Sequence, residues 1–336
     1  MNPVLVSLTT PSLEALEQLA SAAQRDAAID RKRMLVVVNP YATTVSDRLR
    51  NLVVYALQGR YDVTAIDTES KDHATEVCRR VGDDGYEVVV TFGGDGTVNE
   101  AVNGLIGSDV PLFPLPGGNT NVFCRMLGIP NEIVDATEHL LRIADDWQPR
   151  RVDLPAVNGR AFTFSSGVGL DATVVRRVDA RPHLKARFGP WFFTSAAVVS
   201  FMKDYVVRPP RLEVTSDTGW TDRGVTAIVQ NGDPYTYFRD RPISLAEGAT
   251  LDSGTLSAVV LERATALDVP TISARAFLPR ARIVRHRRVG HAERLDALTV
   301  RSTDGREIPL QLDGDYVGSV TEARYTITPG GLAVVS

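Results

Sequence analysis

The chain is poor in cysteine: only Cys78 and Cys124 occur among its 336 residues. Two thiols cannot build a disulfide framework or a cysteine-rich zinc site, so a reduced, cytoplasmic protein is expected. No apolar run reaches 18 residues, and nothing is expected to span a membrane. The first residues lack the basic segment and apolar core of a signal peptide. Basic excess is missing too. Lys plus Arg number 37 against 41 Asp plus Glu, which argues mildly against a general nucleic-acid binder. There is no internal repeat and no low-complexity tract. Three phosphate or nucleophile signatures are also absent. There is no GxGxxG directly after the first strand, no GxxxxGK[ST] and no GxSxG, which disfavours a dehydrogenase, a P-loop protein and a hydrolase of the last type.

What remains is an ordinary globular composition, 43% hydrophobic and 23% charged, long enough for about two domains. Residues 12–29 read as an added surface helix or a partner-binding helix, capped by Ser12, with Leu13, Leu16 and Leu19 at helical spacing. Met34 to Pro40 is a valine-rich buried strand that ends in a polar turn. Helix over 45–58, strand Tyr61 to Asp67, helix over 70–81, strand Tyr86 to Thr91, helix Thr97 to Leu105, strand Pro111 to Leu115 and helix Asn121 to Leu127 follow. Such alternation implies a doubly wound, mostly parallel α/β domain.

Near Arg151 the pattern changes to β-rich runs separated by Gly, Asp and Pro turns. Strands are expected at Ala161 to Phe164, Leu212 to Thr215, Thr226 to Gln230, Thr255 to Val260, Ala281 to Val284, Leu298 to Arg301 and Ile308 to Leu312. One apolar helix is expected at Phe188 to Tyr205. The division is therefore a helical extension over 1–30, an α/β nucleotide-binding domain over 31–150 and a mainly antiparallel β-sandwich over 151–324. A last strand over 325–336 is free to return to the first domain.

Two glycine-rich turns carry the chemistry. In the run from Val88 to Leu105 a buried strand feeds Gly93-Gly94-Asp95-Gly96-Thr97. Ligands of open α/β sheets sit at such strand ends, glycines let the backbone approach them, and the helix that follows aims free N–H groups at an anion. Asp95 would repel a phosphate directly, but suits a Mg²⁺ ion or a hydroxyl. Asn99 and Glu100 follow on the first turn of the helix, where Glu100 equally compensates the dipole. A second strand delivers Gly117-Gly118-Asn119-Thr120-Asn121 to the same edge. Its uncharged donors and acceptors suit ribose, base or phosphate, and Thr120 or Asn121 would also serve as a helix N-cap. After the first strand Asn39 binds nucleotide or caps a turn, and Thr43 and Thr44 can donate to phosphate.

These residues resemble the diacylglycerol kinase catalytic-domain family, bacterial lipid kinases related to sphingosine kinases. The matches run in order across roughly residues 34–330: Asn39-Pro40, GGDGT with Asn99-Glu100, LPGGNTN from Leu115 to Asn121, SSGVGLDATVV from Ser165 to Val175, LDSGTLSAVV from Leu251 to Val260, and LDGD from Leu312 to Asp315. The resemblance implies an α/β domain joined to a β-sandwich in the NAD kinase/diacylglycerol kinase manner, with nucleotide in the cleft between them. It implies ATP and Mg²⁺ as cofactors and a lipid hydroxyl as acceptor, most simply diacylglycerol giving phosphatidic acid. Asp313 then matches the family's general base, although read alone it is a hairpin-turn residue. Nucleotide contacts fall to Asn39, Pro40, Thr43, Gly93, Gly94, Gly96, Thr97, Glu100, Gly117, Gly118, Asn119, Thr120 and Asn121. Asp95, Asp252 and Asp315 become metal-linked, with Asp95 also catalytic. The chain departs from the pattern at Tyr41-Ala42-Thr43-Thr44, where glycine or serine is usual. It departs again at Ser253, in place of a second Asp; at Asp315, in place of Glu; and at Asn121, in place of the usual Asp. A sphingoid or glycolipid kinase, a soluble-substrate kinase related to NAD kinases and a catalytically silent nucleotide-binding regulator are the competing readings.

A lipid kinase works at a surface. Trp191, Phe192 and Phe193, behind Arg176, Arg177, Arg181, Lys185 and Arg187, are candidates for the interface or for core packing. Arg280, Arg282, Arg285, His286, Arg287, Arg288 and His291 are expected to face membrane, a phosphorylated lipid or plain solvent. The implied protein is cytoplasmic and peripheral to the inner membrane face, a monomer or homodimer, without nucleic acid.

Overall fold

The computed structural model describes residues 31–144, 148–179, 209–263, 268–277 and 281–336, together with residues 15 and 18. The helices expected over 12–29 and at Phe188 to Tyr205, with their aromatic and basic neighbours, lie outside the described residues. Two compact units emerge, one running to Val152 and taking in Gly330–Ser336, the other Asp153–Pro329.

The first unit is an α/β domain. Four parallel strands stand in the order β2 (Asp62–Asp67), β1 (Arg33–Val38), β3 (Val88–Gly93), β4 (Leu112–Pro116). Central strand β3 is buried along its whole length and β1 from Met34 onward, which is why both read as unbroken apolar runs. Helices α1 (Asp47–Gln58), α2 (His73–Cys78), α3 (Asp95–Gly104), α4 (Val122–Met126) and α5 (Ile133–Arg142) connect or follow the strands. The side chain of Ser46 caps α1 by accepting from Leu49 N at 3.3 Å. Helix α2 is shorter than its periodicity suggests, because Asp72 takes a left-handed φ of 63° and starts it late.

The second unit is a β-sandwich. One antiparallel sheet runs β14 (Val289–Leu295), β13 (Leu256–Leu261), β10 (Thr226–Gln230), β7 (Ser165–Gly169), β16 (Ile308–Leu312), β17 (Asp315–Val320). Facing it, the first part of β18 (Glu322–Val334) pairs with β15 (Ala297–Ser302), then β8 (Leu212–Ser216) and β9 (Thr221–Gly224). Two short hairpins, β5 (Arg150–Val157) with β6 (Arg160–Ala161) and β11 (Thr236–Phe238) with β12 (Arg241–Ile243), are the other described strands. Val168, Val229, Val260 and Leu310 of one sheet meet Val214, Val300 and Tyr325 of the other in one buried hydrophobic core. Helix α6 (Leu170–Asp179) leaves β7, and α7 (Asp268–Phe277) follows β13.

Two expected strands are corrected. Of the first only Ala161 is extended, as the end of β6, because the chain bends at Thr163 and Phe164 to aim their N–H groups at Asp313. Residues 283–285 of the second form a 3₁₀ turn that begins where Arg282 turns to a φ of 38°. Among the described residues no helix is long and apolar enough to cross a membrane.

Candidate active site

Three turns meet at the C-terminal ends of β1, β3 and β4. Asn39 N donates to Phe92 O at 2.9 Å, and Asn39 Nδ2 reaches Thr97 Oγ1 at 3.1 Å. Gly117 N donates to Gly93 O at 2.7 Å, and Thr44 N to Gly117 O at 3.1 Å. The glycines are what allow this. A Cβ on Gly118 would stand 2.8 Å from Gly94 Cα, and one on Gly117 would stand 2.9 Å from Gly93 Cα. Backbone thus packs on backbone, and any side chain at these positions would push the turns apart.

Asp95 fastens the same cluster. Its Oδ2 accepts from Val122 N and its Oδ1 from Phe123 N, both at 3.1 Å, so it caps α4 from 27 residues upstream. The cap expected from Thr120 or Asn121 is absent. Asn121 sits at a left-handed φ of 49°, makes no side-chain cap bond, and closes its own turn by accepting from Gly118 N at 2.8 Å. It also donates to Asn131 Oδ1 at 2.9 Å. Asn119 and Thr43 are exposed, while Pro40, Gly94, Gly96 and Thr120 are half-buried. Glu100 lies against α2: its carbonyl accepts from Thr75 Oγ1 at 2.7 Å, and its charge, after burial, helps push the Cys78 thiol up to about 12. Burial likewise lifts the Cys124 thiol, so neither cysteine is a ready nucleophile.

The second unit holds Asp313 differently. Asp313 and Gly314 form the two-residue turn between β16 and β17, at φ 49° and 86°, with Leu312 paired to Asp315. Positive φ at both positions is the mark of a type I′ hairpin, which Asp-Gly favours. The hairpin reading is therefore true of the backbone. The side chain does more: Asp313 is 4% exposed, and its carboxylate accepts from Thr163 N at 2.8 Å, Phe164 N at 3.0 Å and Ser165 N at 3.2 Å.

A second acid in this unit escaped motif reading. Asp171, inside the SSGVGLDATVV run and at the first turn of α6, accepts from Tyr235 OH at 2.8 Å and from Gln311 Nε2 at 2.9 Å. Burial raises its pKa, and the two donors pull partly against that shift. Only the fold brings positions 171, 235 and 311 together. The sole sequence signal was an acid placed just after a glycine-rich strand.

The acids expected near metal fall in different units, Asp95 in the first and Asp252 and Asp315 in the second. Asp252 occupies a turn, accepting from Thr250 Oγ1 at 2.8 Å. The buried carboxylate beneath that turn belongs to Asp153, which accepts from Gly254 N at 2.5 Å. Asp315 opens β17, half-buried. Among the described residues no group of three or more His, Cys, Asp or Glu is placed to hold a metal. Part of the basic run is internally paired: Arg282 bonds to Glu247, Arg287 lies 3.4 Å from Asp268, and His286 contacts Thr271 Oγ1 at 3.2 Å.

Comparison with known proteins bears on the family and the fold. Residues 33–153 match the family model of the diacylglycerol kinase catalytic domain. Diacylglycerol kinases of Staphylococcus aureus are similar: that of strain RF122/ET3-1 is 25% identical over 304 residues, covering 86% of this chain and 88% of its own. That of strain Newman is 25% identical over 302 residues at the same coverage. A crystal structure of a diacylglycerol kinase from Bacillus anthracis strain Sterne covers 91% of this chain and 97% of its own, with TM-score 0.65 and 19% identity. Another structure from that strain aligns with TM-score 0.70 and 22% identity, covering 91% and 98%. These structures share the fold, an α/β domain followed by an antiparallel β domain.

Proposed function

We propose, for a chain whose residues 33–153 match a diacylglycerol kinase catalytic domain, that it moves the terminal phosphoryl group of ATP to a lipid hydroxyl, with diacylglycerol as acceptor and phosphatidic acid as product. The observation that carries this reading is the packing of Gly93-Gly94 on Gly117-Gly118 at the strand ends. Side-chain-free backbone at the start of α3, together with exposed Asn119, makes a surface that polyphosphate can approach closely. Gly94, Gly96, Gly118, Asn119 and Thr120 would hold the phosphates, and Asn39 would brace Thr97 beneath them. Bound ATP supplies the phosphoryl group: the hydroxyl oxygen bonds to the terminal phosphorus as its bond to the bridging oxygen breaks and ADP leaves. Asp313, fixed by three backbone donors, accepts the proton that the acceptor hydroxyl loses as it attacks. Among the described residues no group of three or more His, Cys, Asp or Glu is placed to hold a metal of its own. Magnesium is assigned to the nucleotide itself. Because the acceptor's tails stay in a bilayer, the protein works at the inner membrane face, as a monomer or homodimer and without nucleic acid.

The test is transfer of labelled phosphate from ATP into vesicles containing diacylglycerol, sphingosine or a glycolipid, with NAD as a soluble acceptor. Transfer to diacylglycerol, lost in Asp313→Asn, is expected. Label in sphingosine or glycolipid alone would redirect the substrate, and label in NAD alone would move the chain to soluble kinases. Nucleotide binding with no transfer to any acceptor would leave only the regulator reading.

A further inference from the structure

Gln311 is fully buried in β16, and its two amide ends face different partners. Nε2 donates to Asp171 Oδ2 at 2.9 Å, while Oε1 accepts from Gly314 N at 2.9 Å. Gly314 is the residue after Asp313 in the turn. On its other side Asp171 takes the hydroxyl of Tyr235 at 2.8 Å. An ionised carboxylate only accepts, so both neighbours must donate to it. That requirement fixes which way the Gln311 amide points, and hence that an oxygen, not an NH₂, meets Gly314 N–H. Space for the pair is reserved by Gly167: a Cβ there would stand 1.9 Å from Asp171 Oδ2 and 2.8 Å from Gln311 Nε2. The turn is secured elsewhere by Asp313 N, which donates to Ser165 O at 2.8 Å.

We propose that Asp171, Tyr235 and Gln311 are positioning residues: a buried acceptor at 171 orients the Gln311 amide, which pins the Asp313-Gly314 turn and thereby sets the reach of the Asp313 carboxylate. This rests on the reading of Asp313 as the proton acceptor. In this relay the three act through the turn. The burial that raises the pKa of Asp171 also makes the network sensitive to any added charge, since a second carboxylate there has no water to screen it.

The experiment uses a polarity exchange in the full chain. Gln311→Glu sets two carboxylates at hydrogen-bond distance, and kcat for phosphate transfer into diacylglycerol vesicles is expected to fall about 30-fold with KM for ATP unchanged. Adding Asp171→Asn restores one carboxylate and one amide with their places exchanged. The amide introduced at position 171 would then donate to the carboxylate introduced at position 311. That carboxylate would in turn accept from Gly314 N, and kcat is expected to return to within about threefold of the parent. If Gln311→Glu does not fold, a folded and active double variant supports the relay just as well. Tyr235→Phe, which deletes one hydroxyl, is expected to lower kcat about threefold at unchanged KM. A double variant no better than Gln311→Glu, or a Gln311→Glu protein with parental kcat, overturns the relay. Either result beside a dead Asp313→Asn leaves the role of Asp313 standing. Full turnover in Asp313→Asn overturns that role and the relay with it.

Discussion

Asp95 and Asp313 solve the same local problem in opposite halves of the sequence. Each sits beside a glycine, Asp95 at the start of α3 and Asp313 in a hairpin turn, and each commits its carboxylate to backbone N–H groups far along the chain. Asp95 gives one oxygen each to Val122 N and Phe123 N and stays half-buried. Asp313 takes three donors from Thr163 to Ser165 and is almost wholly buried. The first staples two glycine turns together and starts a five-residue helix. The second is clamped at a bend that would otherwise have been a strand. A half-buried acid bonded to the start of a helix is a fastener, whereas an almost wholly buried one clamped by the amides of a bend has its position set to within a narrow range. Charge-assisted bonds of this kind are worth roughly 1.5–3 kcal/mol each.

The contrast is broken most sharply by Asp313→Asn. Steady-state kinetics should show kcat lower by about 10²–10⁴-fold with little change in KM for ATP. Gly118→Ala comes next. Its Cβ meets Gly94 Cα at 2.8 Å, and thermal melts should show a loss of about 1–3 kcal/mol together with nucleotide affinity weakened at least about tenfold. Asp95→Asn should cost about 1 kcal/mol of stability and raise KM more than it lowers kcat; a kcat collapse equal to that of Asp313→Asn would erase the difference between the two acids. The smallest effect belongs to an exposed-loop carboxylate held chiefly by a guanidinium, with the Ser302 hydroxyl and the Arg306 backbone N–H beside it. Asp304 is bonded to Arg306, which lowers its pKa to about 2. A depressed acid stabilises the fold above its ordinary titration range and stops doing so as pH falls through its folded value. The small melting-temperature gap between the parent and Asp304→Asn should therefore shrink as pH drops from about 5 toward 2.

Much of the first unit was legible because its signals are local. Val88 to Thr91 is apolar without a break, GGDG marks the strand end, and α3 follows at once. Helix α5 also carried a readable signal, with Ile133, Ala136, Leu140 and Leu141 buried at helical spacing, though no motif drew attention to it. The second unit hides its chemistry in long-range bonds. Ala161 to Phe164 has strand-like composition, and the partner that bends it lies about 150 residues onward. Asp313-Gly314 announces a hairpin, yet nothing near it in the chain reveals the amides that hold its side chain. Residues 171, 235 and 311 share no pattern, since their meeting depends on β7 and β16 being neighbours. Asp153 beneath the 250–254 turn is concealed for the same reason.

The final strand has a consequence for how the molecule is made. Val334 pairs with Leu112, and Val335 N donates to Leu112 O at 3.0 Å, while Leu332 to Val335 are buried. The sheet that presents the glycine turns therefore includes residues the ribosome adds only after the whole second unit. A fragment ending at Val152 would be born with an unsatisfied edge at β4, and its synthesis would be finished long before its architecture could be.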